Sequence, residues 1–302
     1  MYAIEMRAIV EAEMDRPVPP EVAALVDALC ERYAHSATAI LFYGSALRDK
    51  AVGDRLVDLY VLTQGYRLVH KNAIARFFNR LIPPNVYYIE TATAAGAKVR
   101  AKYALVDQAQ FRKLVSPRTS NPYFWARFCQ PVAVPWTRDE QARRAVREAL
   151  IAAPMTLATQ IRPLIEGEPD SRTLWTEGFT QTYATELRAE RQNRALDVYL
   201  ANQERYDEVA AIIAPCLPPA PAPATRDRAL RLWARRRWLG KFWSVARLMK
   251  AAFTFDGGAD YLAWKIERHS GERVALRPWQ RRHPILATPT ILWRLWRKGA
   301  IH

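Results

Sequence analysis

An α+β fold is predicted by three features of this 302-residue chain. Two apolar runs, Ile40–Tyr43 and Leu56–Leu62, have the length of strands and are joined by a Gly-Ser pair and a short basic loop. Two further stretches, "NVYYIETAT" and "AKVRAKYALVD", look like strands on either side of Gly96. Segments with helical spacing lie before, between and after these strands, the pattern of helices packed on a mixed sheet.

In chain order, "PEVAALVDALCERYAH" (20–35) sets Val22, Leu25, Val26 and Leu29 on one helical face. The two apolar strands follow. "HKNAIARFFNRLI" (70–82) reads as a helix stopped by Pro83-Pro84, because proline lacks an N–H and disfavours helix in the residue before it. The strands around Gly96 come next, then a short helix in "DQAQFRKLV" (107–115). From about residue 137 the spacing turns helical, and Thr137 with Glu140 three residues on predicts a capping box. "PCLPPAPAPAT" (215–225) holds five prolines among alanines and reads as an extended linker. The expected division is an α+β domain over 1–136, a helical domain over 137–214, the linker over 215–225, and a basic Trp-rich segment over 226–302.

Composition narrows the class. Half of the residues are hydrophobic, which excludes a disordered chain. Cys30, Cys129 and Cys216 are far apart, odd in number and without metal-ligand spacing, which argues against a disulfide framework and for a reducing compartment. The opening "MYAIEMRAIVEAEMDRP" lacks the apolar core of a signal peptide, and no run is long enough to span a bilayer. The net charge of +15 is uneven: from Arg226 onward there are 18 Lys+Arg against 5 Asp+Glu, a surplus of +13. Seven of the ten tryptophans share that segment, so the basicity is a property of the tail.

The stretch "ILFYGSALRDKAVGDRLVDLYVL" carries the chemistry. Nucleotidyl transfer needs a carboxylate for a divalent cation and a close-approaching backbone with a hydroxyl for the triphosphate. Gly44-Ser45 ends one strand, and Asp58 lies on the strand that returns beside it. Nucleotidyltransferases usually carry two acids two residues apart on that second strand; here the neighbouring positions are Leu56 and Tyr60, and Asp54 is the nearest further acid. The alternative is a structural Gly-Ser turn with Asp58 as a hydrogen-bonded buried acid.

"YGSALRDKAVGDRLVDLYVL", "HKNAIARFFN", "NVYY", "AKYALVDQAQFRKL" and "YFWARFCQPV", in that order, resemble the mitochondrial translocator-maintenance family of phosphatidate cytidylyltransferases. The likeness covers roughly 40–135, is looser over 140–210 and weak after 225. It implies a nucleotidyltransferase domain over 1–136, a winged-helix-like helical domain over 137–214, and conversion of CTP and phosphatidic acid to CDP-diacylglycerol and pyrophosphate with Mg²⁺. By motif, Gly44 and Ser45, with Tyr43 beside them, would hold the triphosphate, Asp58 the metal, Lys102 phosphate charge, and Arg127 would face CTP or phosphatidate; Asp54, by proximity, is preferred to Glu90 as a second metal ligand. The chain departs from the family at Ala46 and Ala126, where the family has glycine, at Asn72, displaced by one, and at Glu90, where it has Asn.

Each of the other candidates has a plainer alternative. His70 is a substrate contact or, the favoured reading, a helix cap. Lys102, with Lys98 and Arg100, is a phosphate ligand or part of a solvated basic strand. Arg127 binds phosphate or pairs with a buried carboxylate. Glu90 is a metal ligand or, favoured, a strand-edge acid. Trp175, Tyr183, Glu186 and Arg188 line the cleft or, favoured, form a packing and salt-bridge set.

In the tail, Leu230, Trp233, Trp238, Phe242, Val245 and Leu248 fall on one side of a helix, flanked by Arg235, Arg236, Lys241 and Arg247. That pattern predicts an amphipathic helix lying on an anionic membrane, where each basic residue contributes about 1 kcal/mol. Helical rather than strand spacing of the tryptophans argues against nucleic acid, and packing on the body is the plain alternative. The expectation is a peripheral enzyme on the cytoplasmic face of a membrane. Two others stay open: a nucleotidyltransferase with an RNA or small phosphorylated acceptor, and a non-catalytic nucleotide- or membrane-binding relative. Oligomeric state is not legible.

Overall fold

The computed structural model describes residues 2–48, 56–186 and 194–254. In chain order the elements are α1 (Tyr2–Met14), α2 (Pro20–Arg32), β1 (Ala37–Tyr43), α3 (Ser45–Arg48), β2 (Val57–Thr63), α4 (Tyr66–Val69), α5 (Ala73–Leu81), β3 (Asn85–Ala92), β4 (Lys98–Asp107), α6 (Gln108–Leu114) and α7 (Tyr123–Phe128). They continue as β5 (Ala133–Thr137), α8 (Glu140–Ile161), α9 (Ser171–Tyr183), α10 (Arg194–Leu200), α11 (Gln203–Ile213) and α12 (Pro223–Thr254).

The strands form one sheet of order β3-β4-β2-β1-β5. Its pairs are antiparallel except β2–β4, which is parallel. Alternation along the strands builds two cores. Ile40, Phe42, Leu59, Val61 and Leu105 meet Val22, Leu25, Val26 and Leu29 of α2. Ala39, Leu41, Tyr60, Leu62 and Val106 face the other way, under the helices that follow. Each large apolar side chain buried this way contributes roughly 1.5–3 kcal/mol.

The expected strands and the helices over 20–35, 70–82 and 107–115 are present, with the 107–115 helix capped by Asp107, whose Oδ1 accepts from the Gln110 N–H (2.8 Å). Two features differ. Thr137 is not an N-cap: it is the last residue of β5, and Asp139 caps α8 by accepting from the Ala142 N–H (2.7 Å). Helix α1 was not anticipated. It buries Met6, Val10 and Met14 and aims its acids inward, where Glu13 accepts from Arg205 Nε (2.8 Å) and Glu11 from Arg147 Nη1 (2.6 Å). The described part of 137–214 has no strand beyond the start of that range.

Helix α12 begins at Pro223, inside the expected linker, and one of its faces packs on the body. Ala229, Trp233, Arg236, Gly240, Ser244 and Lys250 are buried. Trp233 Nε1 donates to Gln160 O (3.1 Å), and Arg236 stacks over Trp125 and Trp233 while donating to Gln160 Oε1 (2.5 Å). The single apolar side expected for this helix is therefore divided. Trp233 faces inward, whereas Leu230, Trp238, Phe242 and Val245 face solvent. Arg236 and Arg247, expected as flanking cations, lie on the packed side.

Candidate active site

Strand β1 ends at Tyr43, and the chain turns at Gly44 with φ of +90°, a conformation that favours glycine. Tyr43 is registered against Asp58 on β2, and Asp58 against Lys102 on β4. Three residues remote in sequence thus form one row across the sheet. The Gly44 backbone approaches Asp58 closely: a Cβ there would stand 3.3 Å from Asp58 Oδ2. Asp58 Oδ1 lies 3.1 Å from Lys102 Nζ, with each side chain about a third exposed.

This row floors an open cleft of about 450 Å³, within the range of small-molecule sites. Tyr43, Gly44, Ser45 and Asp58 form one wall, and Val86, Lys102 and Ala104 the next. Helix α7 and the residue pair after it add Tyr123, Ala126, Arg127 and Gln130, and the helical region adds Tyr183, Glu186 and Arg194. Arg127 sits with its guanidinium carbon 4.1 Å from the Tyr123 ring centroid and Nη2 3.8 Å from Glu186 Oε2. Burial works against its charge, but Tyr123 and Glu186 hold its pKa above the ordinary value.

Of the expected site residues, Tyr43, Gly44, Ser45, Asp58, Lys102 and Arg127 come together in this cleft. Asp54 and Arg188 lie outside the described residues. Glu90 is away from the cleft, bound by Arg100 (2.8 Å) and Lys98 (3.5 Å), which also separates those two cations from Lys102. His70 is the C-cap of α4 and meets the Asn79 side chain, outside the cleft lining; Asn72 caps α5. Tyr183 stacks on Phe179 against the core and Glu186 pairs with Arg127, as the packing and salt-bridge reading expected, and both also line the cleft; Trp175 is fully buried and donates to Tyr206 O (2.9 Å).

The place of a second strand acid is taken by Tyr60, which is fully buried with its ring 4.9 Å from Phe128 and 5.2 Å from Tyr43. Among the described residues no group of three or more His, Cys, Asp or Glu could hold a metal without help. The one described carboxylate of the cleft floor, Asp58, with Lys102 Nζ at 3.1 Å, would suffice for Mg²⁺ only where substrate phosphates and water complete the coordination, a form that ion often takes. Tyr123, Gln130 and Arg194 are cleft residues that the sequence did not single out; only the aromatic-Arg run "YFWAR" pointed near them.

No protein-family model matches the chain, and no curated protein sequence matches it. Among solved structures it is similar to a nucleotidyltransferase-like protein from Exiguobacterium sibiricum 255-15, with 13% identity, a TM-score of 0.28, and coverage of 92% of this chain and 91% of that one.

Proposed function

We propose that the chain is a nucleotidyltransferase and, more narrowly, a phosphatidate cytidylyltransferase. The observation that carries this is the row Gly44–Asp58–Lys102 at the floor of a cleft that also holds Arg127. It joins a backbone open to phosphate, a carboxylate and two cations. The motif resemblance over 40–135 supplies CTP and phosphatidic acid as the substrates.

In this reading Gly44 and Ser45 receive the triphosphate, Lys102 neutralises its oxygens, and Arg127 faces the phosphate of the acceptor. Asp58 would hold Mg²⁺ together with those oxygens, and the ion when bound offsets charge on the leaving pyrophosphate. A phosphate oxygen of phosphatidic acid attacks the α-phosphorus of CTP, forming one P–O bond while the bond to the β-phosphate oxygen breaks. The nucleophile is already anionic, so the work of the site is positioning and charge neutralisation.

A lipid acceptor requires a surface that meets the bilayer. Two features support an anionic membrane as partner. On α12, Arg231, Arg235, Lys241, Trp238, Phe242 and Val245 face solvent, and the Trp238 and Phe242 rings stack. On α5, Ile74, Phe77, Phe78 and Leu81 recur at i, i+3, i+4 and i+7, all exposed, beside exposed Lys71 and Arg80. No described helix is long and apolar enough to cross a membrane.

The test is transfer from labelled CTP to phosphatidic acid in mixed micelles with Mg²⁺, for wild type and Asp58→Ala. Labelled CDP-diacylglycerol from wild type, reduced at least a hundredfold in the variant, is the expected result. No product from a wild-type protein that binds CTP would remove the lipid assignment and leave an RNA or small phosphorylated acceptor.

A further inference from the structure

Tyr123 lies between the region that resembles a known family and the tail that does not. Its ring is approached by two guanidinium groups: Arg127 of α7, with the guanidinium carbon at 4.1 Å from the centroid, and Arg247 of α12, at 4.4 Å. Arg247 is half-buried and arrives there because Gly240, about two turns earlier on α12, lets the helix press onto Thr185 just beyond α9. A Cβ at Gly240 would be 2.6 Å from Thr185 O.

Among the described residues, charge around this ring does not balance. Arg127 meets a single carboxylate, Glu186, at 3.8 Å, beyond hydrogen-bonding distance, and its buried Nε has no hydrogen-bond partner among the described residues. The Nη2 of Arg247 donates to Ser244 Oγ of its own helix (2.9 Å), and no carboxylate is within ion-pair distance of it among the described residues. Two partly desolvated guanidiniums with one distant carboxylate leave a net positive charge, which a buried site tolerates when an anion completes it. Lys102, by contrast, has its own carboxylate, with Nζ 3.1 Å from Asp58 Oδ1. Arginine forks suit a phosphate dianion, offering paired N–H donors.

We propose that Arg127 and Arg247, arranged about Tyr123, form a second phosphate subsite at the rim of the cleft, which takes a phosphomonoester dianion: the acceptor's phosphate rather than the triphosphate. This rests on the nucleotidyltransferase reading and assigns Arg247, from a helix outside the family resemblance, to acceptor recognition. The triphosphate and acceptor sites are then fed from different parts of the chain, the first from β1 and β2 and the second from α7 and α12.

The test is calorimetric titration of the full chain with CTP and Mg²⁺, and separately with glycerol 3-phosphate and with dihexanoyl phosphatidic acid. Wild type, Arg247→Gln and Arg247→Lys are compared, with thermal unfolding as the check on folding. Arg247→Gln is expected to weaken both phosphomonoesters at least tenfold while CTP affinity stays within twofold, and Arg247→Lys to fall between. Tighter binding of dihexanoyl phosphatidic acid than of glycerol 3-phosphate supports a lipid headgroup as the occupant; equal binding supports a soluble phosphomonoester in the same site. Unchanged phosphomonoester binding in Arg247→Gln, or equal loss of CTP, overturns the proposal. Wild type that binds CTP but neither phosphomonoester also overturns it and leaves the nucleotidyltransferase reading standing. Wild type that binds none of the three overturns both.

Discussion

Lys102 Nζ and Asp58 Oδ1 are 3.1 Å apart, and their Cα atoms are direct partners on the parallel strands β4 and β2. The pairing places one cation beside one carboxylate where a nucleotide's phosphates would enter. Because both side chains are about a third exposed, the pair itself adds little to stability, at most about 1 kcal/mol. Lys102→Met is therefore expected to keep its thermal midpoint within a few degrees while weakening CTP binding about tenfold. Calorimetry and thermal unfolding on one preparation check both halves; a large loss of stability would make Lys102 a structural residue.

Gly44 is constrained twice, by its positive φ and by Asp58 Oδ2 at 3.3 Å from any added Cβ. Gly44→Ala is expected to cost roughly 1–2 kcal/mol in stability from backbone strain. It should also push Asp58 aside, so nucleotide affinity falls by more than the stability loss explains. Urea unfolding beside CTP titration separates the two effects.

Arg205 is tied to α1 by Glu13 (Nε–Oε1, 2.8 Å) and donates also to Cys129 O (2.6 Å). Both side chains are nearly buried, 10% and 7% exposed. Glu13→Ala leaves the guanidinium without its counter-charge, and a loss of roughly 3 kcal/mol is expected. Replacing both members with apolar residues should recover much of it, which a double-mutant cycle by denaturant unfolding would read.

Stability should fall on acidification in two windows. Lys250, buried on α12, donates to the carbonyls of Ile82 and Pro84, and burial followed by the nearby Arg247 lowers its pKa from 10.5 to about 7. Between these values the unfolded chain holds a proton that the folded chain lacks, so stability drops as pH falls from 10.5 to 7 and then levels. His70, lowered from 6.5 by burial, Lys250 and Arg76, adds a further drop as pH falls below 6.5. Urea midpoints across pH check this, and Lys250→Met is expected to abolish the upper window and to shrink the lower one, since Lys250 contributes to the His70 shift.

The two tail tryptophans nearest each other in role should separate. Trp238 is 70% exposed and Trp233 fully buried. Trp238→Glu, or Phe77→Glu on α5, should reduce pelleting with phosphatidic-acid vesicles at least fivefold with no change in melting. Trp233→Ala should lower stability by about 3–5 kcal/mol, as core aromatic truncations do. Vesicle binding unchanged in both surface variants would count against these faces as the membrane contact.

Four of the five strands were legible because they obey local rules: short apolar runs, glycine turns and a proline stop; the edge strand β5, five residues with Pro135 inside it, was not. The row of Tyr43, Asp58 and Lys102 was legible as residues, but its assembly depends on the register of β2 with β4, whose partners Asp58 and Lys102 are 44 residues apart, which periodicity does not encode. Helix α1 escaped because its inward acids, Glu11 and Glu13, look like solvent-facing charge until their arginines arrive from α8 and α11. The tail was misjudged for the same reason in reverse. Arg236 and Arg247 look like a solvated basic face, yet cation–π contacts with Trp125, Trp233 and Tyr123 let a desolvated guanidinium sit inside.

The contact of Arg247 with Tyr123 bears on how the molecule comes into being. Every strand, and every residue that lines the cleft, is encoded before α12, so a ribosome has made the sheet before the helix that carries Arg247 is released. A nascent chain could therefore have folded strands and a Gly44–Asp58 turn while its rim is still open. Docking of α12 then buries Trp233 and brings Arg247 to the Tyr123 ring, so a premature stop in the proline-rich stretch would leave a body with that apolar face uncovered.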